Sequence, residues 1–227
     1  MRVPFLQKSE IAKEAREVLE TYNVRTGIKV KPPIPVEDII ERGLDLRLDF
    51  IDFDRYPAMS DVLGATYVEK RLGCINQALL EDHLEGRFSF TCAHEIGHWA
   101  LHRHYVACHG FQPKEGRRIL CRTSQAKAPI EWQADTFASC LLMPEEMVRK
   151  AFKQTFGSSS IELVNVESSY AGPLCFDPSV ANWPLIAESI IESGLFRNVS
   201  KQAMMIRLQD LQLVRNATSR PIGWARG

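Results

Sequence analysis

The sequence has no excess of charge of one sign, no long apolar run and no paired cysteine motif. Its 28 Lys and Arg residues balance its 28 Asp and Glu residues, so no overall field attracts it to nucleic acid or anionic lipid. No stretch approaches the roughly 18 apolar residues of a membrane span, and residues 1–11 lack the apolar segment of a signal peptide. We therefore expect a cytoplasmic protein that does not associate with membranes.

The six cysteines do not indicate a disulfide framework, because none of them forms a C-x-x-C pair and a reducing compartment keeps thiols free. We expect them to be buried, small apolar residues. They are Cys74, Cys92, Cys108, Cys121, Cys140 and Cys175.

The composition and the apolar periodicity predict a globular α+β protein. Hydrophobic residues make up 45% of the 227 residues and charged residues 25%, which are ordinary globular values. Apolar residues at helical spacing predict a first helix over residues 9–22, with Ser9 as its N-cap. Further helices are predicted at 36–42, 86–104, 130–143, 184–193 and 200–211, with one more starting at Pro144; strands are predicted at 44–51, 64–68 and 73–79. Residues 106–129 are predicted to be a long loop or irregular hairpin, and 157–173 a linker.

A His-Glu-x-x-His sequence, from His94 to His98, lies within the apolar, helix-forming run of residues 88–101. Residues four apart lie on one face of a helix, so both imidazoles are placed to bind one metal ion. Zinc (Zn2+) fits best, because it accepts imidazole ligands and a catalytic site keeps one position for water beside three protein ligands. Glu95 is expected beside the metal, as the general base. The alternative is two surface histidines on an ordinary helix.

The third ligand is expected from the next predicted helix, where Glu131 and Asp135 share a face. The longer Glu131 side chain is predicted to reach the metal, while Asp135 accepts the second N–H of a ligating histidine and fixes its tautomer. Two alternatives stay open: Asp135 is the ligand, or both are solvated helix acids.

Other residues near the motif have less defined roles. His102, His104 and Tyr105 are the nearest donors in sequence that could stabilise an oxyanion, and nothing in the pattern selects one of them. His102, one helical turn beyond His98, is also a weak alternative ligand. Residues 74–78 are either an edge strand that binds an extended substrate or an ordinary inner strand.

Three segments occur in order: 87–98 (RFSFTCAHEIGH), 131–138 (EWQADTFA) and 141–144 (LLMP). Together they resemble the ImmA/IrrE family of zinc metallo-endopeptidases. The resemblance extends from the proline-bearing N-terminal region to Pro144, and the long, basic segment 106–129 departs from it.

The resemblance implies a zincin-like fold, with His94, His98 and Glu131 as zinc ligands and Glu95 as the base. It also implies that the substrate is a helix-turn-helix repressor, whose cleavage relieves repression in a stress response or of a mobile element. We therefore expect residues 1–172 to form a zincin-like metallopeptidase domain with a small mixed or antiparallel sheet packed on helices. Residues 173–227 are expected to form a helical, helix-turn-helix-like region.

The C-terminal region has a local basic excess, with six basic residues and one acid beyond residue 193. Its last predicted helix resembles the second helix of a helix-turn-helix, with Ser200 as N-cap and Leu208 and Leu211 turned inward. This pattern predicts at most a weak nucleic-acid contact. The alternative is a helix pair that packs on the protease or docks the repressor.

Two classes of function therefore remain. The first is a zinc endopeptidase that acts on a protein partner. The second is a DNA-binding regulator, or a toxin-antitoxin-type binding protein, whose metal site is structural. A structural site is closed by a fourth protein ligand, and the sequence shows none at a suitable spacing. The sequence therefore favours the enzyme.

Overall fold

The computed structural model describes residues 3–108, 118–122, 128–163 and 182–216. The chain divides into two compact units, Met1–Pro144 and Glu145–Gly227. The expected domain boundary at residues 172 and 173 lies outside the described residues. Within the described part of the chain, no helix has the length and apolar character needed to cross a membrane.

The first unit is an α+β arrangement, as predicted. Its helices are α1 (Lys8–Thr26), α2 (Val36–Asp38), α3 (Glu85–Gly97), α4 (Arg103–Cys108) and α5 (Pro129–Leu142). A π-helical turn at Ile39–Gly43 extends α2, and another at His98–His102 joins α3 to α4. Short 3-10 turns lie at Phe53–Arg55, Pro57–Met59, Gln77–Leu80 and Asp82–Leu84.

Four strands form a mixed sheet in the order β1-β3-β2-β4. They are β1 (Arg47–Ile51), β2 (Val62–Tyr67), β3 (Leu72–Asn76) and β4 (Arg118–Arg122). β2 is antiparallel to both β3 and β4, whereas β1 runs parallel to β3. The sequence predicted the first three strands and a small mixed or antiparallel sheet; the parallel pairing of β1 with β3 makes the sheet mixed, not purely antiparallel. β4 lies in the segment predicted to be a loop or irregular hairpin, and it pairs with β2.

Helix α1 buries the predicted apolar stripe but begins earlier than predicted. Ile11, Ala15, Val18 and Tyr22 are all buried, as expected from their spacing. The prediction of Ser9 as N-cap is wrong: Gln7 is the N-cap, and its backbone N–H donates to the Glu10 carboxylate at 2.7 Å. Glu10 therefore occupies the third helical position of a capping box, which moves the helix start towards the N-terminus.

Helices α3 and α5 approach each other closely, because a glycine lies at their contact. A Cβ atom on Gly97 would lie 3.2 Å from both Cα and the carbonyl oxygen of Ala134. Helix α3 packs against β2 and β3 on one side and against α5 on the other, and α5 also contacts α1. Because α3 and α5 pack this closely, the histidines at the end of α3 lie beside the first two turns of α5.

The described residues of the second unit form three helices and a two-stranded parallel sheet. They are α6 (Glu145–Phe156), β5 (Ile161–Leu163), α7 (Trp183–Ser193), α8 (Lys201–Asp210) and β6 (Val214–Asn216). Ser200 is the N-cap of α8, as predicted, since its hydroxyl accepts the Ala203 N–H at 3.1 Å. Leu208 and Leu211 are buried, which confirms their predicted inward orientation.

We predict that Gly97→Val destabilises the protein by about 1–3 kcal/mol, because the new side chain is forced against the backbone of α5. Ala100→Val is the matched control, since it introduces the same β-branched residue three positions further on, at a partly exposed site. Urea denaturation in the presence of a chelator measures both changes. An equal loss of stability in the two variants would show that the helix contact at Gly97 is not tight.

Candidate metal centre

Two helices bring three predicted metal ligands together in the interior. His94 and His98 come from α3 and the turn that follows it, and Glu131 comes from the first turn of α5. Each offers a ligand atom within 4.8 Å of those of the other two. None of the three is more than 3% exposed. The two surface-residue alternatives, histidines on an ordinary helix and solvated helix acids, therefore do not describe these three side chains.

The Glu131 carboxylate faces both imidazoles, one oxygen towards each ring. Oε2 lies 3.1 Å from His94 Nε2, and Oε1 lies 3.6 Å from His98 Nε2. The rings meet edge to face with their centroids 4.6 Å apart. Two imidazole nitrogens and a carboxylate are the same types of ligand that a His-His-Glu catalytic zinc site uses, and this group could hold a metal ion.

Asp135 contacts the outer side of His94. Its Oδ1 lies 2.8 Å from His94 Nδ1, one helical turn along α5 from Glu131. The side chain of Asp135 is 46% exposed, whereas that of Glu131 is 4% exposed. A hydrogen bond from Nδ1–H to Asp135 leaves Nε2 of His94 as the nitrogen directed at Glu131. This is the relation that the sequence predicted for Asp135.

Glu95 is buried between α3 and strand β2. The Thr66 hydroxyl donates to its Oε2 at 2.6 Å. Its side chain crosses Gly64, where a Cβ atom would lie 2.9 Å from the Glu95 Cδ. Both Gly64 and Thr66 belong to β2, so the strand provides the space for the carboxylate and holds one of its oxygens.

Two buried polar atoms of this cluster have no hydrogen-bond partner among the described residues: Glu95 Oε1 and His98 Nε2. Leaving such groups unpaired in the interior costs free energy, about 1–3 kcal/mol for a typical buried group. A metal ion with a coordinated water molecule satisfies both atoms, since His98 Nε2 can bind the ion and Glu95 Oε1 can accept from the water. The residues present therefore fit a metal ion such as zinc.

The two histidines of the cluster have very different pKa values. Burial by itself lowers the pKa of His94, but hydrogen bonds with Asp135 and Glu131, together with the nearby Cys121 thiol, hold that pKa well above its usual value. Burial lowers the pKa of His98 to about 3. The surroundings thus favour the protonated form of His94 and the neutral form of His98. A divalent ion would take over the charge that the His94 proton supplies.

The pKa values of Glu95 and Glu131 are shifted in opposite directions. Burial raises the pKa of Glu95 to about 7. Burial also acts to raise the pKa of Glu131, but its hydrogen bond with His94 and the adjacent imidazole of His98 outweigh that effect and bring the pKa to about 2. Paired carboxyl groups with such different environments are typical of sites in which one group binds a cation and the other exchanges a proton.

Cys121 of β4 is a neighbour that sequence reasoning did not connect to the site. Its sulfur lies within 4.8 Å of ligand atoms of His94 and Glu95. It does not belong to the group formed by His94, His98 and Glu131. The strand pairing of β4 with β2 creates this proximity, and no local sequence spacing could have shown it. Cys74, Cys92 and Cys140 are buried, as predicted for these three.

The remaining sequence candidates lie around this centre. His102 is fully buried, and its ring nitrogens face Nδ1 of His98 and the side-chain amide of Gln133, so it does not belong to the group formed by His94, His98 and Glu131. His104 is exposed and Tyr105 is partly buried.

Residues 78–165 match the sequence profile of the IrrE N-terminal-like domain, which represents a family of metallopeptidases. The matched segment contains α3, β4 and α5, and thus every side chain that faces the metal centre except those of β2. The resemblance to the ImmA/IrrE family is therefore confirmed over this segment. No curated protein and no solved structure matches the chain.

We predict that Thr66→Val destabilises the protein by about 1–3 kcal/mol, because it removes the hydrogen bond to a buried carboxylate while keeping the side-chain shape. Thr91→Val is the control, since the Thr91 hydroxyl donates only to the Arg87 carbonyl one turn back in the same helix. Chemical denaturation without metal compares the two. A loss in Thr66→Val no larger than in Thr91→Val would contradict the described role of Thr66.

Proposed function

We propose that the protein is a zinc-dependent endopeptidase that hydrolyses a peptide bond in a partner protein. His94, His98 and Glu131 are the metal ligands, Glu95 is the general base, and Asp135 orients His94. The observation that carries this proposal is the single buried carboxylate of Glu131 facing both imidazoles, 3.1 Å and 3.6 Å away. The match to a metallopeptidase family supports the same function.

The chemistry follows from the placement of Glu95. When bound, zinc polarises the scissile carbonyl and lowers the pKa of a water molecule towards neutrality. Glu95 has one oxygen held by Thr66 and one without a partner among the described residues. The second oxygen accepts the proton of the attacking water and passes it to the leaving amine. Because burial raises the pKa of Glu95 to about 7, the carboxyl group exchanges a proton readily near neutral pH.

The substrate is proposed to bind as an extended segment along β4. In the described part of the sheet, β1 and β4 form the two edges, and β4 carries the residue that contacts His94. β3, which contains most of residues 74–78, lies between β1 and β2 and is an inner strand. A strand edge binds an extended peptide through main-chain hydrogen bonds, which do not depend on the peptide's side chains. Specificity must therefore come from side-chain contacts.

The partner is proposed to be a helix-turn-helix repressor in the cytoplasm, and the family resemblance is the support for it. Cleavage of a purified repressor encoded beside this gene tests the proposal. The expected result is a discrete pair of fragments that is lost with a chelator and restored by zinc. If the repressor stays uncleaved under all conditions, it is not the substrate. If a panel of unfolded proteins also stays uncleaved in the presence of zinc, the protein is not a peptidase.

We predict that Glu95→Gln keeps zinc binding but lowers the rate of peptide cleavage by about 10²–10⁴-fold, because an amide cannot take the proton of water. Glu85→Gln, at the exposed start of the same helix, is the matched control and should cleave at the wild-type rate. Zinc content by atomic absorption and the initial rate of cleavage are measured together. Cleavage by Glu95→Gln at the wild-type rate would contradict its role as base.

The structural-site alternative has one observation in its favour, the Cys121 thiol beside His94. In that case the sulfur would be the fourth ligand and would leave no position for water. We predict instead that the cobalt-substituted protein shows no thiolate-to-metal charge-transfer absorption in the near ultraviolet. We also predict that Cys121→Ser binds zinc as tightly as the wild type. A sulfur charge-transfer band that disappears in Cys121→Ser would favour the structural site.

The DNA-binding alternative depends on the basic residues of the C-terminal region. Two of those that the structure describes are engaged within the second unit. Lys201 forms an ion pair with Glu188 at 2.6 Å, and Arg207 is buried. These contacts reduce the basic surface of α8. A nucleic-acid contact through this region stays a prediction.

A further inference from the structure

Behind the proposed ligands lies a chain of buried side chains that the catalytic chemistry does not use. It runs from His98 through His102 to Gln133 and ends at the backbone carbonyl of Pro4. The three side chains are at most 1% exposed. Burying three polar groups in an apolar core is unfavourable unless all of them are hydrogen-bonded in a consistent direction.

The direction of the chain is fixed at its far end. The Gln133 side-chain Nε2 donates to the Pro4 carbonyl at 2.7 Å, and a carbonyl oxygen can only accept. The other end of the amide, Oε1, therefore faces His102 Nε2 at 2.9 Å and accepts from it. His102 must carry a hydrogen on Nε2.

The position of the hydrogen on His102 determines the position of the hydrogen on His98. With its hydrogen on Nε2, a neutral His102 has a lone pair on Nδ1, and this atom lies 3.0 Å from His98 Nδ1. Both rings are fully buried, which disfavours a charged form. His98 Nδ1 must then be the donor. A neutral His98 with its hydrogen on Nδ1 has an unprotonated Nε2, the atom that faces Glu131 Oε1 at 3.6 Å.

We propose that His102 and Gln133 are positioning residues that hold His98 in the tautomer whose Nε2 is free to bind the metal. Asp135 has the corresponding position at His94, where its carboxylate lies against Nδ1. His94 thus has a charged carboxylate at its Nδ1, whereas His98 has a row of neutral hydrogen-bonded side chains at its own Nδ1. The inference rests on the proposed metal site for its purpose, but the tautomer itself exists independently of the metal.

The first test measures the tautomer directly in the wild-type protein. Nitrogen-15 NMR of labelled imidazoles, recorded without metal, distinguishes protonated from unprotonated ring nitrogens. The expected result is a hydrogen on Nδ1 of His98 and on Nε2 of His102. A hydrogen on Nε2 of His98 would overturn the proposal, whether or not the protein binds zinc.

The second test compares zinc affinities by competition with a coloured chelator. His102→Leu should bind zinc about 10–100-fold more weakly, the usual effect of losing a partner behind a ligand. His102→Asn should bind close to wild type, because its Oδ1 replaces the acceptor at Nδ1. His104→Leu is the control, since His104 is exposed two residues further on.

The outcomes separate the two levels of the proposal. If the wild-type protein binds no zinc, the proposed metal site fails, and the NMR result still decides the tautomer. If the wild type binds zinc and His102→Leu binds it equally well, the positioning role is wrong. Affinity as low in His102→Asn as in His102→Leu would also overturn it, because the acceptor would then be irrelevant. If His102→Leu does not fold, Gln133→Leu is measured in its place, with the same expected loss.

Discussion

The close contact of α3 with α5 at Gly97 is the constraint on which the rest of the site depends. With no side chain at that position, the backbone of α5 near Ala134 comes against α3 directly. The histidines on either side of Gly97 therefore meet Glu131 and Asp135, which lie on either side of Ala134. A wider separation would leave the imidazoles and carboxylates beyond hydrogen-bond distance, and each would be a buried polar group without a partner.

Two opposing effects set the pKa values of the carboxyl groups in the centre: burial raises them, and contact with histidines lowers them. Glu131 has two histidines as partners and its pKa falls, whereas Glu95 has one hydroxyl partner and its pKa rises. One helix and the turn after it thus carry a histidine whose pKa is raised, a histidine whose pKa is lowered and a carboxyl group whose pKa is raised to about 7. β2 contributes to this division, because Thr66 binds Glu95 and Gly64 leaves room for it. A metallopeptidase requires these three different functions within a few ångströms.

The part of the site that the sequence could predict is the part set by helical spacing. His94 and His98 are one turn apart, as are Glu131 and Asp135, so each pair shares a face whatever the tertiary fold. Which face of one helix meets which face of the other could not be read from spacing and required the family resemblance. One continuous helix was predicted over 86–104, whereas α3 ends at Gly97 and a π-helical turn at His98–His102 joins it to α4.

The residues that sequence reasoning missed are those brought in by strands or by a second layer of contacts. Thr66 and Gly64 are 29 and 31 residues before Glu95, and Cys121 belongs to a strand inside a segment whose composition predicted a loop. His102 was considered as a ligand because it lies one turn beyond His98, whereas its nitrogens face His98 and Gln133. Helical spacing gives the face of a residue but not the direction of its ring.

The central claim is that one buried ion is bound by two imidazoles and a carboxylate, with a further position open to water. X-ray absorption spectroscopy at the zinc edge of the zinc-loaded protein measures it most directly. The account predicts only nitrogen and oxygen neighbours at about 2.0–2.2 Å, with two imidazoles and four ligands in total. A sulfur neighbour at about 2.3 Å, or a spectrum of fully hydrated zinc, would contradict it.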